Sequence, residues 1–232
     1  MANRVLVIGD IHEPVSHPGY LAFCRDLYED WDCNKVVFIG DVADFQAISF
    51  HANNPHCPGP NDERILTKRK IQKWYKVFPK AKVCIGNHDE RVIRLAESVN
   101  IPSKFIRSHK EAWKTPNWKW KHDHIIDDVY YFHGTAMGGT HPAWNAAGKM
   151  LMSVCMGHMH SRSGVKWRAN PLKRIFALDT GCGIDVDAWQ FAYGRHTKER
   201  PILSAAVVLD SIPYHEVMPC GIKEKYHKSR FK

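Results

Sequence analysis

The chain has no uninterrupted apolar run approaching the ~18–20 residues that a helix needs to cross a bilayer, so no membrane span is expected. It also has no C-x-x-C pair. The seven cysteines (Cys24, Cys33, Cys57, Cys84, Cys155, Cys182, Cys220) are scattered and odd in number. Neither a disulfide framework nor a cysteine zinc knot is expected, and a reducing, cytoplasmic setting fits. The start, Met1-Ala2-Asn3-Arg4, runs directly into the apolar Val5-Leu6-Val7-Ile8 without a small-residue cleavage site, so a secretory signal is not expected. Acids are scarce, with 24 Asp+Glu against 33 Lys+Arg, which leaves a net charge of +9. A basic surface suits a polyanionic partner, and nucleic acid is the commonest one. A length of 232 residues accommodates one α/β domain with a substantial core, expected over residues 1–222, followed by a basic tail over 223–232.

What the chain does have is a repeated design. Five apolar runs each end in a polar cluster: Gly9-Asp10-Ile11-His12, Gly40-Asp41-Val42-Ala43-Asp44, Gly86-Asn87-His88-Asp89-Glu90-Arg91, Phe132-His133-Gly134 and Gly157-His158-Met159-His160. Buried strands that deliver polar groups at their carboxyl ends are how open α/β sheets build ligand sites. The expectation is that these clusters meet at one edge of a sheet.

Between the clusters, helical spacing recurs in Tyr20, Phe23, Cys24, Leu27 and Trp31, and again from Glu63 to Phe78, where Pro79 ends the pattern. A third helix follows Arg91, with Val92, Leu95, Ala96 and Val99 periodic, and a fourth runs from Pro142 to Met152 with Thr140 as its cap. The segment from His51 to Asn61 reads as a loop whose His51, His56 and Cys57 match no zinc spacing. From His109 to His124, tryptophans interleave with lysines. Such a stretch can stack on single strands, but the period-2 alternation of Trp118-Lys119-Trp120-Lys121 favours a half-buried strand. Val129–Phe132 pairs with Ile125-Ile126 around Asp127-Asp128, Leu151–Met156 forms another strand, and three more lie near 175–178, 202–209 and 214–217.

Asp10 and His12 stand two residues apart, as do His158 and His160, so in extended backbone each pair points one way. With Asp41, Asn87 and His133 they make seven N/O ligands and no thiolate, a set suited to two hard or borderline divalent ions. Seven ligands serve two ions if one of them bridges, and the Asp41 carboxylate is the candidate. Two ions about 3.5–4 Å apart lower the pKa of a bridging water and clamp phosphoryl oxygens during in-line displacement. Phosphoester hydrolysis is the expected reaction.

The ordered set GDIH, GDVAD, GNHDE, FHG and GHMH resembles the calcineurin-like metallophosphoesterases over residues 9–160. The resemblance implies a two-sheet α/β sandwich flanked by helices. It implies a first metal on Asp10, His12, Asp41 and His160, and a second on Asp41, Asn87, His133 and His158. His88 resembles the histidine that contacts phosphate and protonates the leaving oxygen, and Asn87 can share in substrate contact. Asp44 or Asp89 can orient neighbours, and Arg91 either contacts phosphate or makes an external salt bridge. Mn2+ leads the expected metals, with Fe, Zn2+, Ni2+ and Mg2+ as alternatives. GDVAD lacks the Arg-Gly that follows this motif in Ser/Thr protein phosphatases, and Glu13 stands where they have Gly. The chain is more similar to short bacterial and bacteriophage phosphoesterases, which would place it in a bacterial or infected-host cytosol. The leading expectation is a phosphodiesterase acting on nucleic acid or nucleotides by attack of a metal-bridging hydroxide. A phosphomonoesterase and a non-catalytic protein-binding scaffold are the alternatives.

Overall fold

Residues Arg4–Ile8 (β1), Lys35–Phe38 (β2) and Ala81–Cys84 (β3) are dominated by apolar, β-branched side chains buried on both faces, as parallel strands require. They pair in parallel in that order, and Trp118–Lys121 (β4) extends the sheet as its edge. On the other side Ser204–Leu209 (β10) runs antiparallel to β1 and forms a hairpin with Ile212–Val217 (β11). The computed structural model describes residues 2–50, 55–188 and 199–219. The expected tail over 223–232, His51 and Cys220 lie outside them.

A second sheet has the order β5-β6-β7-β9-β8. Its strands are Asp123–Ile126 (β5), Val129–Phe132 (β6), Ser153–Met156 (β7), Ser163–Ala169 (β8) and Arg174–Thr180 (β9). Val7, Val37, Ile39 and Cys84 of the first sheet pack against Tyr131, Cys155, Phe176 and Leu178 of the second. Helices cover the two outer faces. Tyr20–Asp30 (α1) and Pro60–Val77 (α2) bury Phe23, Leu27, Ile71 and Trp74 against Leu6, Ile8, Phe38 and Val83. Pro142–Met150 (α5) lays Ala143, Ala146 and Ala147 on Val154, Met156 and Ala177. The expected two-sheet α/β sandwich flanked by helices is the observed architecture. No helix among the described residues is long and apolar enough to cross a membrane.

Several local expectations shift. Helix α2 begins at Pro60, with Gly59 as its N-cap, because proline suits the first turn and needs no hydrogen-bond partner there. His141, not Thr140, caps α5. Leu151 is the left-handed C-cap of α5 (φ 55°), so β7 starts two residues later, at Ser153. The tryptophans of β4 serve the core: Trp118 is buried and its indole N–H donates to Phe78 O at 2.8 Å. Trp120 stacks on His109, with centroids 4.8 Å apart. Before β4 lies a short helix, His109–Trp113 (α4), closed by a Ser108/Glu111 capping box. The helix after the GNHDE cluster, Arg91–Ser98 (α3), buries Ala96 but leaves Leu95 and Val99 exposed.

Candidate metal centre

The site forms where the carboxyl ends of β1, β2 and β3 meet those of β6 and β7, so its residues come from both sheets rather than from one edge. The turns after β1 and β2 are tied together: His12 N donates to Asp41 O and Glu13 N to Val42 O, both at 2.9 Å. His12, Asp41 and His158 adopt left-handed backbone, with φ of 45°, 46° and 72°. Such conformations are uncommon for residues bearing a Cβ and mark functional positions. The side chains of Asp10 and His12 therefore converge through a turn, not through strand alternation. Two glycines keep space for carboxylates: a Cβ on Gly86 would run into the Asp41 Oδ1, and one on Gly157 into the Asp10 Oδ1.

All seven expected ligands are brought together. His12 Nε2 lies 3.1 Å from His160 Nε2 and 3.5 Å from Asp41 Oδ2, and His160 Nε2 lies 3.2 Å from Asp10 Oδ2. On the other side His133 Nε2 is 3.2 Å from both Asp41 Oδ2 and His158 Nδ1, and 2.9 Å from Asn87 Oδ1. Of three donor groups among the described residues, Asp10-His12-Asp41-His160 and Asp41-His133-His158 share Asp41, and the third, His12-Asp44-His88, adjoins the first through His12. Atoms bound about 2.0–2.2 Å from one ion are separated by about this much.

The outer nitrogens are held by acceptors that fix the rings. His12 Nδ1 donates to Asp44 Oδ1 at 2.8 Å, and His133 Nδ1 faces Ile39 O at 3.3 Å. Each ring thereby aims its Nε2 inward, the arrangement that orients metal-ligating histidines. His88 lies beside the two groups that share Asp41. Its Nδ1 is 2.8 Å from Asp44 O and 3.2 Å from Asp44 Oδ1, so Asp44 positions both His12 and His88. Asp89 belongs to none of the donor groups and accepts from the amides of Val42, Ala43 and Gly86 at 3.0–3.3 Å, pinning the turns after β2 and β3 together.

Arg91 is no external salt bridge. It is buried, donates from Nη1 to Asp44 O and Phe45 O at 2.8 and 3.1 Å, and sets Nη2 3.0 Å from His88 Nε2. Sequence reasoning also missed Glu63, whose carboxylate accepts from Gln46 N and Ala47 N at 2.8 Å and holds the segment after Asp44. The signal available for it was an acid in the first turn of a helix that follows the GDVAD cluster. His56 is exposed and belongs to none of the donor groups.

The electrostatics follow from carboxylates crowded with imidazoles. Burial opposes ionisation of Asp10 and Asp41, but His133 and its neighbours outweigh it and lower both pKa values. Burial likewise opposes charge on His133, yet Asp41 and Asp10 raise its pKa to about 9. His88 is raised for the same reason: burial lowers it, while Asp41 and Asp44 outweigh that effect. His12 and His158 are lowered, chiefly by burial. Asp89, buried and close to Asp41, is pushed up to about 6.

The chemistry of this donor set fits divalent cations. Asp10 Oδ1 and Asp44 Oδ2 are buried oxygens without a hydrogen-bond partner, a costly arrangement unless positive charge compensates it. Imidazole nitrogens and carboxylates without thiolate suit Mn2+, Fe or Zn2+.

No curated protein gives a significant sequence match. The chain is similar in structure to Vps29 from Chaetomium thermophilum at 11% identity, covering 97% of this chain and 93% of that one, with a TM-score of 0.50. Vacuolar Protein Sorting 29 from Cryptosporidium parvum is 13% identical over 93% and 96%, with a TM-score of 0.46. Yfce, a phosphoesterase from E. coli, is 12% identical over 95% and 93%, with a TM-score of 0.48. The family model for calcineurin-like phosphoesterases matches residues 3–187, a span that runs from β1 past the last of the clustered histidines. On that match, the chain belongs to the calcineurin-like phosphoesterase family.

Proposed function

We propose that this chain is a two-metal phosphodiesterase acting on nucleic acid or nucleotides, with Mn2+ as the leading metal. The observation that carries the reading is the pair of donor groups sharing Asp41, with His88 held beside them by Asp44. Asp10, His12, Asp41 and His160 would hold one ion, and Asp41, Asn87, His133 and His158 the other. Two such ions supply an activated water and neutralise phosphoryl charge.

The chain's own residues do the rest. Asp44 fixes His88 through Nδ1, and the leaving oxygen would take the place of Arg91 Nη2 at Nε2, where the protonated ring passes it a proton. Asp41 and Asp44 keep that imidazole inclined to carry the proton. Arg91, beside the same nitrogen, contributes a second cationic donor for a phosphoryl oxygen. That same pairing favours a second reading, a phosphomonoesterase, because two cationic donors suit a dianionic terminal phosphate. The net charge of +9 favours the polyanionic diester. The basic, cysteine-reduced character also supports work in a cytoplasm: the described cysteines are free thiols.

The test is hydrolysis of an aryl phosphodiester against the matching monoester by metal-stripped protein with Mn2+, Mg2+, Zn2+ or nothing added. Preference for the diester is expected. Preference for the monoester replaces the reading with a phosphatase, and no turnover with any metal replaces it with a binding scaffold.

A further inference from the structure

The lysines of the tryptophan–lysine stretch remain unexplained once the tryptophans are assigned to the core. Because Trp118 and Trp120 face the helices, Lys119 and Lys121 face the other way. Register places Lys119 directly across from Lys82 of β3, and Lys82 across from Val37 of β2, so Lys35 at the start of β2 belongs to the same side. Like charges directly opposite on neighbouring strands destabilise a sheet. Edge protection explains a lysine on β4, but not lysines on the inner strands β2 and β3.

These residues surround an open cleft of about 530 Å³ at the amino ends of β2, β3 and β4. Lys35, Lys80, Lys82 and Lys119 line it together with Asn34 and Asn117, and no lining residue is acidic. Lys82 Nζ reaches the Ile125 carbonyl oxygen at 3.5 Å, and among the described residues no carboxylate pairs with any of the four ammonium groups. Burial and the charges of Lys35, Lys119 and Lys121 lower the Lys82 pKa, as unneutralised neighbours do. The candidate metal centre is at the opposite ends of the same strands, roughly 20 Å away at most, counting Lys35 to Asp41 in extended backbone.

We propose that this lysine cleft is an anchoring site for the phosphate backbone of nucleic acid, separate from the metal centre. The proposal rests on the nucleic-acid reading above and extends it. Four point-charge donors without an aromatic platform bind phosphates, not bases, so binding is sequence-independent and salt-sensitive. A polymer held there keeps its other segments at high effective concentration near the centre, an advantage that a small ester does not receive.

The experiment uses full-length, metal-stripped protein in chelator, titrated with labelled duplex and single-stranded DNA across a salt series. Lys80→Gln/Lys119→Gln changes two exposed side chains, and adding Lys35→Gln and Lys82→Gln completes the set. The salt slope is expected to become shallower by about 2 for the double variant and by 3 or more for the quadruple, with about tenfold or greater weakening at low salt. Aryl phosphodiester hydrolysis by the metal-loaded variants should equal that of wild type. DNA affinity and slope unchanged in the double variant would overturn the anchor. DNA binding that depends on the cleft, without DNA hydrolysis, would leave the anchor standing and reject the substrate reading.

Discussion

At the residue scale, the roles proposed for Asp44 and His88 separate holding a metal from moving a proton. On that proposal, His88→Ala removes a proton donor and no ligand, and should lower turnover by about 10²–10⁴-fold. Asp44→Ala should lower both metal affinity and turnover, each by about 10–100-fold, because the same carboxylate orients His12 and His88. Steady-state kinetics with parallel metal titration distinguish the two, and an Asp44→Ala variant with normal metal affinity would contradict its role. The protonation of His133 gives a pH signature. Its folded pKa of about 9 lies above the ordinary 6.5, so in metal-free protein the charged ring contributes stability below pH 6.5 that is lost as pH rises through about 9. A metal needs that ring neutral, so affinity should rise with pH across the same window, up to about tenfold per pH unit for one proton. Affinity that is flat or falling there, measured by competition with a chelator, would count against His133 as a ligand.

At the element scale, glycines and turns carry the predictions. Gly157→Ala should abolish metal binding and destabilise by about 1–3 kcal/mol, because the added methyl meets both Asp10 and Ile39. Chemical denaturation checks the second figure, and normal metal content would reject the cradle. The β5–β6 hairpin turns through Asp127 and Asp128, at φ of 50° and 61°, as its two-residue spacing foretold. Asp128→Gly should raise stability by about 0.5–1 kcal/mol, worth a few degrees in Tm for a chain this size, and a lower Tm would contradict the turn assignment. Strands and helices with strong apolar pattern were legible in the sequence, and so were the motif ends that carry all seven candidate ligands. Strand β8 was not: its Lys166, Trp167 and Ala169 are exposed at a sheet edge, so no alternation betrays it. Helix α4, only five residues long, shows no apolar period, and its signal is the capping box of Ser108 and Glu111. The burial of Arg91 depends on carbonyl oxygens at Asp44 and Phe45, a contact between distant segments that no local pattern encodes.

At the scale of the whole molecule, two sheets supply opposite halves of one centre, so metal and fold should be linked. Ions at a hundredfold excess over Kd stabilise by about 2.7 kcal/mol per site, and Tm should climb with Mn2+ and return with chelator. A Tm indifferent to both would mean the described centre binds no metal. On the proposed anchor, the lysine cleft and the basic sequence over residues 223–232 should make DNA binding strongly salt-dependent. Deleting the tail should lower the salt slope if the tail helps to capture the polymer, and an unchanged slope would assign that role elsewhere. The most direct test of the central claim is metal content per chain in wild type, Asp41→Asn and His88→Ala, each reloaded with Mn2+ and desalted. The account predicts two ions in wild type and His88→Ala, and loss of the pair in Asp41→Asn. Equal loss in both variants, or a full complement in Asp41→Asn, would contradict it.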